Sequence, residues 1–376
     1  MEETLIKKKV LYLGGFELPD KGPAAIRVIN NGRLLMQLGY QVMYLGVQRE
    51  KEGIIQSSYE GFDYILKKYP NSLKEWLKHL YKFAPFSILD EYKPDLVVLY
   101  NFPGIAILKW RRACKKRDIK VIGDVTEWYS PSGNIIIKIL RSIDVNIRMR
   151  YAHKRLDGII AISRFLYDYY SKQKRVLLPP LFGNRDACED VQLTDRITLT
   201  FAGGGGINTD RIDYIIKTVQ KCDYPRIEFN VIGLTRQQYE EMYNHHLGTD
   251  IKGVVFHGRL DHQTTVNFLK NSHFQIFIRL INRVTTAGFP SKFAESFSMG
   301  VPVITNKTSN IEDFLHDGVN GYLLENGGVD DIVQLLKKLN EITPEEYKSI
   351  KQNVMNDNCF HIETYEENME SFLASL

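Results

Sequence analysis

The sequence lacks several features that would assign it to a particular class of protein. In its 376 residues, no apolar run reaches the roughly 18 residues that a membrane-spanning helix needs. Its four cysteines form no Cys-x-x-Cys pair and have no histidines at metal-ligand spacing, which argues against a zinc site or a disulfide framework. There is no Gly-x-Ser-x-Gly elbow and no cysteine nucleophile motif. A reducing, cytoplasmic location is therefore expected.

Metal-binding patterns are scarce as well. No Asp-x-Asp pair, a common ligand of metal-bound diphosphates, occurs anywhere, and the nine histidines are dispersed. Even the adjacent His245 and His246 do not have the i, i+4 spacing of a helical metal pair. The sequence therefore predicts a site without a metal ion and without a bound cofactor.

The hydrophobic pattern alternates between strand and helix twice along the chain. The first series begins with a short apolar run at 10–13, two glycines, a helical pattern at 23–38 and a second apolar run at 41–45, which is typical of a βαβ unit. A second series begins at 197–202. With 44% hydrophobic and 25% charged residues, the chain is long enough for two core-bearing domains. We expect an α/β protein with two parallel, doubly wound sheets, joined by a linker within 177–195.

The net charge of +4 is distributed unevenly. Residues 109–120 carry seven basic residues against Asp118, and residues 138–155 carry six against Asp144, so these segments together contribute +11. Such clusters often only solvate a surface, and otherwise they bind nucleic acid or anionic lipid. Because isoleucines at 135–147 interleave with the charges, our interpretation is contact with an anionic membrane surface rather than with nucleic acid.

Residues 288–305 are the most informative segment of the sequence. They predict a loop that breaks at Pro290, a short helix from Ser291 to Met299, a glycine stop and a buried strand through 303–304. Backbone N–H groups at this helix start, with Lys292 in the first turn and Arg279 upstream, suit a phosphate-rich ligand. Glu295 could accept hydrogen bonds from a ribose. The alternative is that the two basic residues pair with a carboxylate such as Glu295.

Glycines follow the first strand of each series. Gly203, Gly204 and Gly205 come directly after the strand that ends at 202, where a backbone without Cβ atoms can approach a diphosphate closely. A flexible hinge is the alternative, because the spacing matches no strict phosphate-loop motif. Gly14 and Gly15 occupy the corresponding turn of the first series, where an ordinary tight turn is equally compatible with the sequence.

Polar residues also follow the strand at 120–122. Asp124 and Glu127 lie just past its end, where open α/β sheets bind their ligands. Either carboxylate could accept a proton from a hydroxyl group of a substrate. The alternative is that Asp124 caps a loop and that Glu127 pairs with a nearby arginine.

The segment 279–305 resembles the donor-site signature of family 4 glycosyltransferases of the GT-B type. In that signature a proline, a glutamate and a Gly-x-Pro-Val-Ile strand follow one another at this spacing, as Pro290, Glu295 and 300–304 do here. Phe289 and Ser291 lie in the same stretch. Ala287 stands where many members have a first glutamate, and Thr126 where many have a histidine. Arg211 is the nearest candidate for a basic residue that often precedes the first helix of the donor domain.

The resemblance implies a GT-B fold in which two Rossmann-like domains face a central cleft. The expected domains are an acceptor-side domain at 1–184, a nucleotide-sugar donor domain at 185–358, and a terminal helix at 359–376 that crosses back to the first domain. Gly14, Gly15, Gly203, Gly204, Gly205, Arg211, Phe289, Pro290, Ser291 and Glu295 would then bind the donor. The expected catalytic residues are Glu127, Asp124, Arg279 and Lys292.

The implied function is transfer of a hexose from a UDP-sugar or GDP-sugar to a lipid-linked glycan. The resemblance is closest to enzymes of bacterial surface polysaccharide synthesis, such as capsule formation, and implies a retaining reaction at the inner face of the plasma membrane. The segments 109–120 and 138–155 would make the peripheral membrane contact. Two alternatives remain open: a nucleotide-sugar epimerase, and a non-catalytic partner subunit, which the residues Ala287 and Thr126 make plausible.

Overall fold

The computed structural model describes residues 8–19, 22–49, 53–131, 133–183, 191–222, 224–248 and 251–376. The chain divides into two compact units, one formed by Met1–Gly183 with Ile362–Leu376 and the other by Asn184–His361. The boundary expected between residues 184 and 185, and also Cys188, lie outside the described residues.

The first unit contains an eight-stranded sheet with the strand order β3-β4-β2-β1-β5-β6-β7-β8. Only the β3–β4 pair is antiparallel, and the other neighbours are parallel. The strands are β1 Lys9–Gly14, β2 Gln41–Gln48, β3 Ile55–Tyr59, β4 Phe62–Lys68, β5 Leu96–Tyr100, β6 Lys120–Val125, β7 Gly158–Ala161 and β8 Arg175–Leu177. The helices that connect them are α1 Pro23–Gln37, α2 Leu73–Lys82, α3 Ser87–Tyr92, α4 Gly104–Lys115, α5 Ile135–Ile147 and α6 Arg164–Tyr169.

The burial of each strand in this unit explains whether the sequence pattern predicted it. The central strands β1, β5 and β6 are buried on both faces, and they therefore appear in the sequence as continuous apolar runs. The edge hairpin of β3 and β4 was not predicted, because the centre of β3, residues 56–58, is polar and exposed and therefore carries no hydrophobic signal. Its two-residue turn at Glu60 and Gly61 has φ angles of 48° and 83°, which is the geometry of a primed hairpin turn.

The expected linker begins later than the sequence suggested. Leu178, Leu181 and Phe182 are at most 1% exposed, and the first two belong to the hydrophobic core of the first unit. The prediction of a linker from residue 177 is therefore wrong for 177–182. The two prolines at 179 and 180 suggested a polar turn, but the leucines beside them are held in the core.

The second unit contains a six-stranded, fully parallel sheet with the order β11-β10-β9-β12-β13-β14. Its strands are β9 Ile197–Ala202, β10 Ile227–Ile232, β11 Val254–Gly258, β12 Phe274–Ile276, β13 Val303–Asn306 and β14 Gly321–Leu324. Its helices are α7 Ile212–Cys222, α8 Arg236–Tyr243, α9 His262–Lys270, α10 Arg283–Ala287, α11 Ser291–Ser298, α12 Val329–Glu341 and α13 Pro344–Met355. The strands predicted at 197–202 and at 303–304 are present as β9 and β13.

The chain ends with a short 3₁₀ turn, Ile362–Tyr365, and helix α14, Glu366–Ser375. Tyr365, Met369 and Phe372 are buried in the hydrophobic core of the first unit. A Cβ atom on Gly158 would lie 2.7 Å from the Phe372 ring. The glycine at this position of β7 therefore lets α14 pack closely against the strand. The C-terminal segment therefore completes the core of the unit to which the N-terminal half of the chain belongs.

Among the helices in the described part of the chain, none combines the length and the apolar character that crossing a membrane requires.

Candidate functional site

The carboxyl ends of β9, β12 and β13 lie side by side in the second sheet, because these strands are neighbours and parallel. Each strand leads into one of the segments singled out in the sequence. Residues 203–206 follow β9, Arg279 lies three residues beyond β12, and α11 precedes β13. The fold thus brings the predicted phosphate-binding residues of this unit to one edge of one sheet.

Lys292 lies in the first turn of α11, and its ammonium group points to the glycine loop. Its Nζ atom is 3.0 Å from Oδ2 of Asp210 and 4.5 Å from the centre of the Phe201 ring. A Cβ atom on Gly203 would lie only 3.3 Å from the same Nζ atom. Burial lowers the pKa of Lys292 below its ordinary value, and the positive charge of Arg279 acts in the same direction, whereas Asp210 opposes this shift. Lys292 is therefore a poorly hydrated cation with one carboxylate partner.

Helix α11 begins at Ser291 without a capping side chain. Pro290 is the N-cap residue, its extended backbone has φ −71° and ψ 108°, and the first turn contains no acidic residue. Its amino end therefore keeps the partial positive charge of the backbone N–H groups, which adds to the charge of Lys292. Together they form a positive region that suits an anion.

The glycine loop has a defined conformation. Gly203 and Gly205 have φ angles of 154° and 59°, which residues with a side chain rarely adopt. The hydroxyl group of Tyr243 donates hydrogen bonds to the carbonyl oxygens of Gly205, at 2.9 Å, and of Asp210, at 3.2 Å. The loop is therefore held in place by α8, and the alternative of a flexible hinge is not favoured by this geometry.

The residues after the glycines form a turn at 207–209, and Asp210 then makes an isolated antiparallel β-bridge with Arg279. The N–H group of Arg211 donates to the carbonyl oxygen of Ile278 at 2.7 Å, and the N–H of Leu280 donates to that of Thr209 at 3.0 Å. This pairing delays the start of α7 to Ile212. It also places the carboxylate of Asp210 within reach of Lys292.

Arg279 is held at the sheet edge by its backbone. Asn306 accepts a hydrogen bond from the Arg279 N–H at 2.8 Å and donates one to its carbonyl oxygen at 2.9 Å. The Arg279 guanidinium donates to the carbonyl oxygen of Thr285 at 3.2 Å. Its charge contributes to the lowered pKa of Lys292, so the two cations act on the same region.

The remaining predicted residues of this unit have different surroundings. Arg211 forms a two-fold hydrogen bond with Asp213, at 2.9 Å each, and its guanidinium lies 3.5 Å from the centre of the Tyr214 ring. The Phe289 ring is 6% exposed and packs against aromatic rings that include those of Phe293 and Phe314. Glu295 lies in the second turn of α11 and is partly exposed. The guanidinium of Arg211 is thus bonded to Asp213, and the Phe289 ring is packed among other rings, so neither side chain contributes to the surface of the glycine loop.

Gly14 and Gly15 lie at the carboxyl end of β1 and differ in their surroundings. A Cβ atom on Gly14 would come within 2.6 Å of the carbonyl oxygen of Tyr100, so the pairing of β1 with β5 requires a glycine here. At Gly15 no other atom lies within 4 Å of the equivalent position, which leaves its backbone accessible.

Asp124 is completely buried at the end of β6. Both of its oxygens accept hydrogen bonds from the Arg27 guanidinium, the shortest at 2.7 Å, and Oδ2 also accepts one from the Tyr12 hydroxyl at 2.6 Å. Asn31 donates a further bond at 3.2 Å. Burial, and then the charge of Asp124, raise the pKa of Tyr12 well above its usual range. A carboxylate so enclosed holds elements together, and a substrate hydroxyl would have to displace these partners to reach it.

Glu127 lies just beyond the same strand and is partly exposed. Burial, and then the negative charge of Glu127, raise the pKa of Tyr129 well above its usual range, and Glu127 also accepts a hydrogen bond from that hydroxyl. Next to it, Asn101 donates to the Thr126 hydroxyl at 2.5 Å, and the Arg148 guanidinium donates to the Asn101 carbonyl oxygen at 3.3 Å. Of the two predicted proton acceptors, Glu127 is the accessible one.

Sequence reasoning missed five residues that position these groups. Their contacts have no local signal, because each of the five acts on a residue far away in the chain: Asp210 on Lys292, Asn306 on Arg279, Tyr243 on the glycine loop, Arg27 on Asp124, and Arg148 on the Asn101 loop. Of these five, only Asn306 has a signal in the sequence, because a polar residue at the end of an apolar strand indicates the carboxyl edge of a sheet.

The two basic segments are only partly available to a partner. Arg148 is 5% exposed, Arg117 pairs with Asp90 at 2.6 Å, and Arg111 donates to the carbonyl oxygen of Arg155. In contrast, five large apolar side chains of α5 are exposed: Ile135, Ile137, Ile139, Leu140 and Ile143.

Comparison with known proteins agrees with this architecture. Residues 196–341 match the family model described as glycosyl transferases group 1. No match is found among curated protein sequences. Anabaena Alr3699/HepE, solved in complex with UDP and glucose, is 13% identical with a TM-score of 0.66, and the alignment covers 98% of this chain and 100% of that chain.

Two further solved structures are similar over the same length. The sucrose-phosphate synthase of Thermosynechococcus elongatus is 12% identical with a TM-score of 0.69, and the alignment covers 98% of each chain. The lipopolysaccharide outer core galactosyltransferase WaaB is 16% identical with a TM-score of 0.65, covering 98% of this chain and 99% of that chain. The predicted fold is confirmed: this chain has two Rossmann-like α/β domains of the GT-B type.

Proposed function

We propose that this protein is a family 4 glycosyltransferase that moves a hexose from a nucleoside-diphosphate sugar to a lipid-linked glycan. The observation that carries the proposal is the position of Lys292, a desolvated cation at an uncapped helix start, facing a glycine loop at the sheet edge. The match of residues 196–341 to glycosyl transferases group 1 supports it, because this segment contains the whole cationic site.

The cationic site suits the leaving group of such a transfer. When the bond between the sugar and the diphosphate breaks, negative charge develops on the diphosphate oxygens. Lys292, Arg279 and the N–H groups of α11 would stabilise that charge, and the loss of one such donor typically costs about 3 kcal/mol of transition-state stabilisation. Asp210 holds Lys292 in place until a phosphate oxygen takes over the ammonium group.

In the first unit we assign the role of proton acceptor to Glu127. Its carboxylate would take the proton of the acceptor hydroxyl as the new glycosidic bond forms. Asp124, which is enclosed by Arg27 and Tyr12, positions the end of β6 in this proposal. Within the second unit, Gly204 and Ser291 would contact the donor phosphates through their backbones, and Glu295 the ribose, whereas Arg211 and Phe289 shape the site without touching the ligand.

Several finer features belong to the same proposal. The resemblance of residues 279–305 to family 4 supports a retaining reaction and a role in surface polysaccharide synthesis, such as capsule formation. Among the solved structures of similar fold, several contain UDP or UDP-glucose, which favours UDP over GDP as the nucleotide. We also propose that the reaction needs no metal ion, so that turnover should be equal in EDTA and in Mg²⁺.

The first experiment is calorimetric titration of the purified protein with UDP, GDP and their common sugar conjugates, without added metal. We expect micromolar binding of one nucleotide, followed by turnover of one of its sugars. If no nucleotide binds, a non-catalytic partner subunit is favoured, as Ala287 and Thr126 suggest. If a sugar is converted without an acceptor into its epimer, the chain is an epimerase.

A further inference from the structure

Helix α2 was not recognised in the sequence, and it changes the description of the exposed apolar surface of the first unit. Helices α2 and α5 both pack against α4. The Arg141 guanidinium of α5 lies 5.7 Å from the centre of the Trp76 ring of α2, and the Lys109 ammonium of α4 lies 3.3 Å from the centre of the Tyr81 ring. The three helices therefore form one continuous surface.

The outer side of this surface is apolar. Leu77 and Tyr81, one turn apart on α2, are 51% and 56% exposed. On α5 the side chains at 135, 139 and 143 follow the same one-turn spacing, and Ile135, the most exposed of them, is 75% exposed. Soluble proteins rarely expose so many large aliphatic side chains together. We call this surface, with its apolar side chains at 77, 81, 135, 139, 140 and 143, the α2–α5 face.

The charges around the α2–α5 face are almost all positive. The three helices carry nine lysine and arginine residues and two acidic ones. Both acidic side chains are engaged within the unit: Glu75 accepts a hydrogen bond from the N–H of Asn71 at 3.0 Å, and Asp144 accepts one from that of Gly104 at 2.8 Å. Lys74, Lys78 and Lys138 are exposed. Exposed aliphatic residues within a positive rim are complementary to an anionic lipid surface.

We propose that the α2–α5 face docks on an anionic lipid bilayer. The bilayer contact is thus made by apolar side chains of two helices, with the lysines as a rim, and not by the basic segments 109–120 and 138–155 as a whole. The face adjoins the Glu127 region, because Arg148, directly after α5, donates to the Asn101 loop. A lipid-linked acceptor would then meet the protein beside its proton acceptor; this part rests on the proposed function.

The test is co-sedimentation of the full chain with vesicles of phosphatidylcholine alone or mixed with phosphatidylglycerol. We expect binding to the mixed vesicles, weakened by roughly 0.5 M salt. The variants I139S/I143S and L77S should each weaken partitioning at least fivefold. Ile54→Ser is the matched control for an exposed isoleucine in the same unit, since Ile54 is 75% exposed. Lys78→Glu should weaken binding, whereas Lys348→Glu, on an exposed helix position of the second unit, should not.

Equal vesicle binding by the wild type and I139S/I143S would overturn the inference. So would a concentration-dependent dimer that these substitutions abolish without any binding to vesicles, because the face would then be covered by a second copy. Titration of the same proteins with UDP and GDP separates this result from the proposed function. Nucleotide binding without lipid binding would contradict only the proposed docking surface. Lipid binding without nucleotide binding would contradict only the proposed transferase function.

Discussion

At the scale of the residue, the proposed anion site depends on the partly desolvated ammonium group of Lys292. Its ammonium group contacts aromatic rings and one carboxylate, with 21% of the side-chain surface left to solvent. A phosphate oxygen that replaces the Asp210 contact would restore the electrostatic stabilisation that burial removes. We therefore expect a ligand charge to take the place that Asp210 occupies beside Lys292.

Replacing the two cations should weaken nucleotide binding. We expect Lys292→Ala and Arg279→Ala each to reduce the affinity for the bound nucleoside diphosphate tenfold or more, which is about 1.4 kcal/mol. Isothermal titration measures the change, and Lys337→Ala, on an exposed position of α12, serves as the control. Unchanged affinity in both variants would count decisively against this site.

Replacing Glu127 should lower the rate of the reaction and leave the affinity for the donor nearly unchanged. We expect Glu127→Gln to lower kcat much more than it changes donor affinity, because the amide cannot accept the proton of the hydroxyl group. Steady-state kinetics with titration of the same protein separates the two quantities. Tyr129→Phe, which removes the hydrogen bond to Glu127 and the one that the hydroxyl accepts from Asn101 at 3.2 Å, should be the milder change. Equal turnover of Glu127→Gln and the wild type would remove Glu127 from the mechanism.

At the scale of the element, neighbouring glycines of one loop have different reasons to be glycine. Gly205 has a φ of 59°, and its Cβ would approach Leu234 to 2.5 Å, whereas at Gly204 no atom lies within 4 Å of the position that a Cβ atom would take. Glycine at position 205 is therefore required by the fold itself. The fold does not require glycine at position 204, so its backbone is available for a close contact with a ligand.

Alanine at these two positions should therefore separate stability from binding. We expect Gly205→Ala to destabilise the fold by about 1–2 kcal/mol, because a side chain at positive φ is strained. Gly204→Ala should leave the free energy of unfolding nearly unchanged but weaken nucleotide binding. Urea denaturation and calorimetry on the two proteins check both statements. A Gly204→Ala protein with wild-type affinity would show that the phosphates do not approach this residue.

At the scale of the whole molecule, histidines whose pKa is lowered by burial, His79 and His153 among them, should make the fold sensitive to acid. Burial, and then the charge of Lys67, lower the pKa of His79 to about 4, and burial, and then Arg148, lower that of His153 to about 3. Both values lie below the ordinary value of 6.5, so the unfolded chain takes up protons first as the pH falls. Stability that is present above about pH 6.5 is then lost towards about pH 4.

At pH 5 the free energy of unfolding should be lower by about 2 kcal/mol for each fully buried histidine, and by somewhat less for His79. We expect the free energy of unfolding to fall between about pH 7.5 and pH 5, and to fall less in His79→Gln. Urea denaturation at the two pH values measures this difference. His262→Gln, at an exposed position, is the control. An equal decrease in His79→Gln and the wild type would contradict the assignment.

The sequence by itself determined the fold class and most of the strands. Parallel strands such as β1 and β5 are buried on both faces, and they therefore appear in the sequence as apolar runs. The helix start at Ser291 and its stop at Gly300, which has φ 76°, are likewise local effects of proline and glycine. For the same reason the segment that contains Lys292 could be chosen as a candidate site before its surroundings were known.

Only the tertiary structure decided what each candidate side chain contacts. Lys292 and Asp210 are 82 residues apart, and Arg27 and Asp124 are 97 apart, so their pairing depends on the order of the strands and not on any local pattern. The same holds for charge and exposure. Arg148 and Ile143 lie in one basic, apolar stretch of sequence, yet the first is buried and the second exposed, because packing against α4 is settled by the fold.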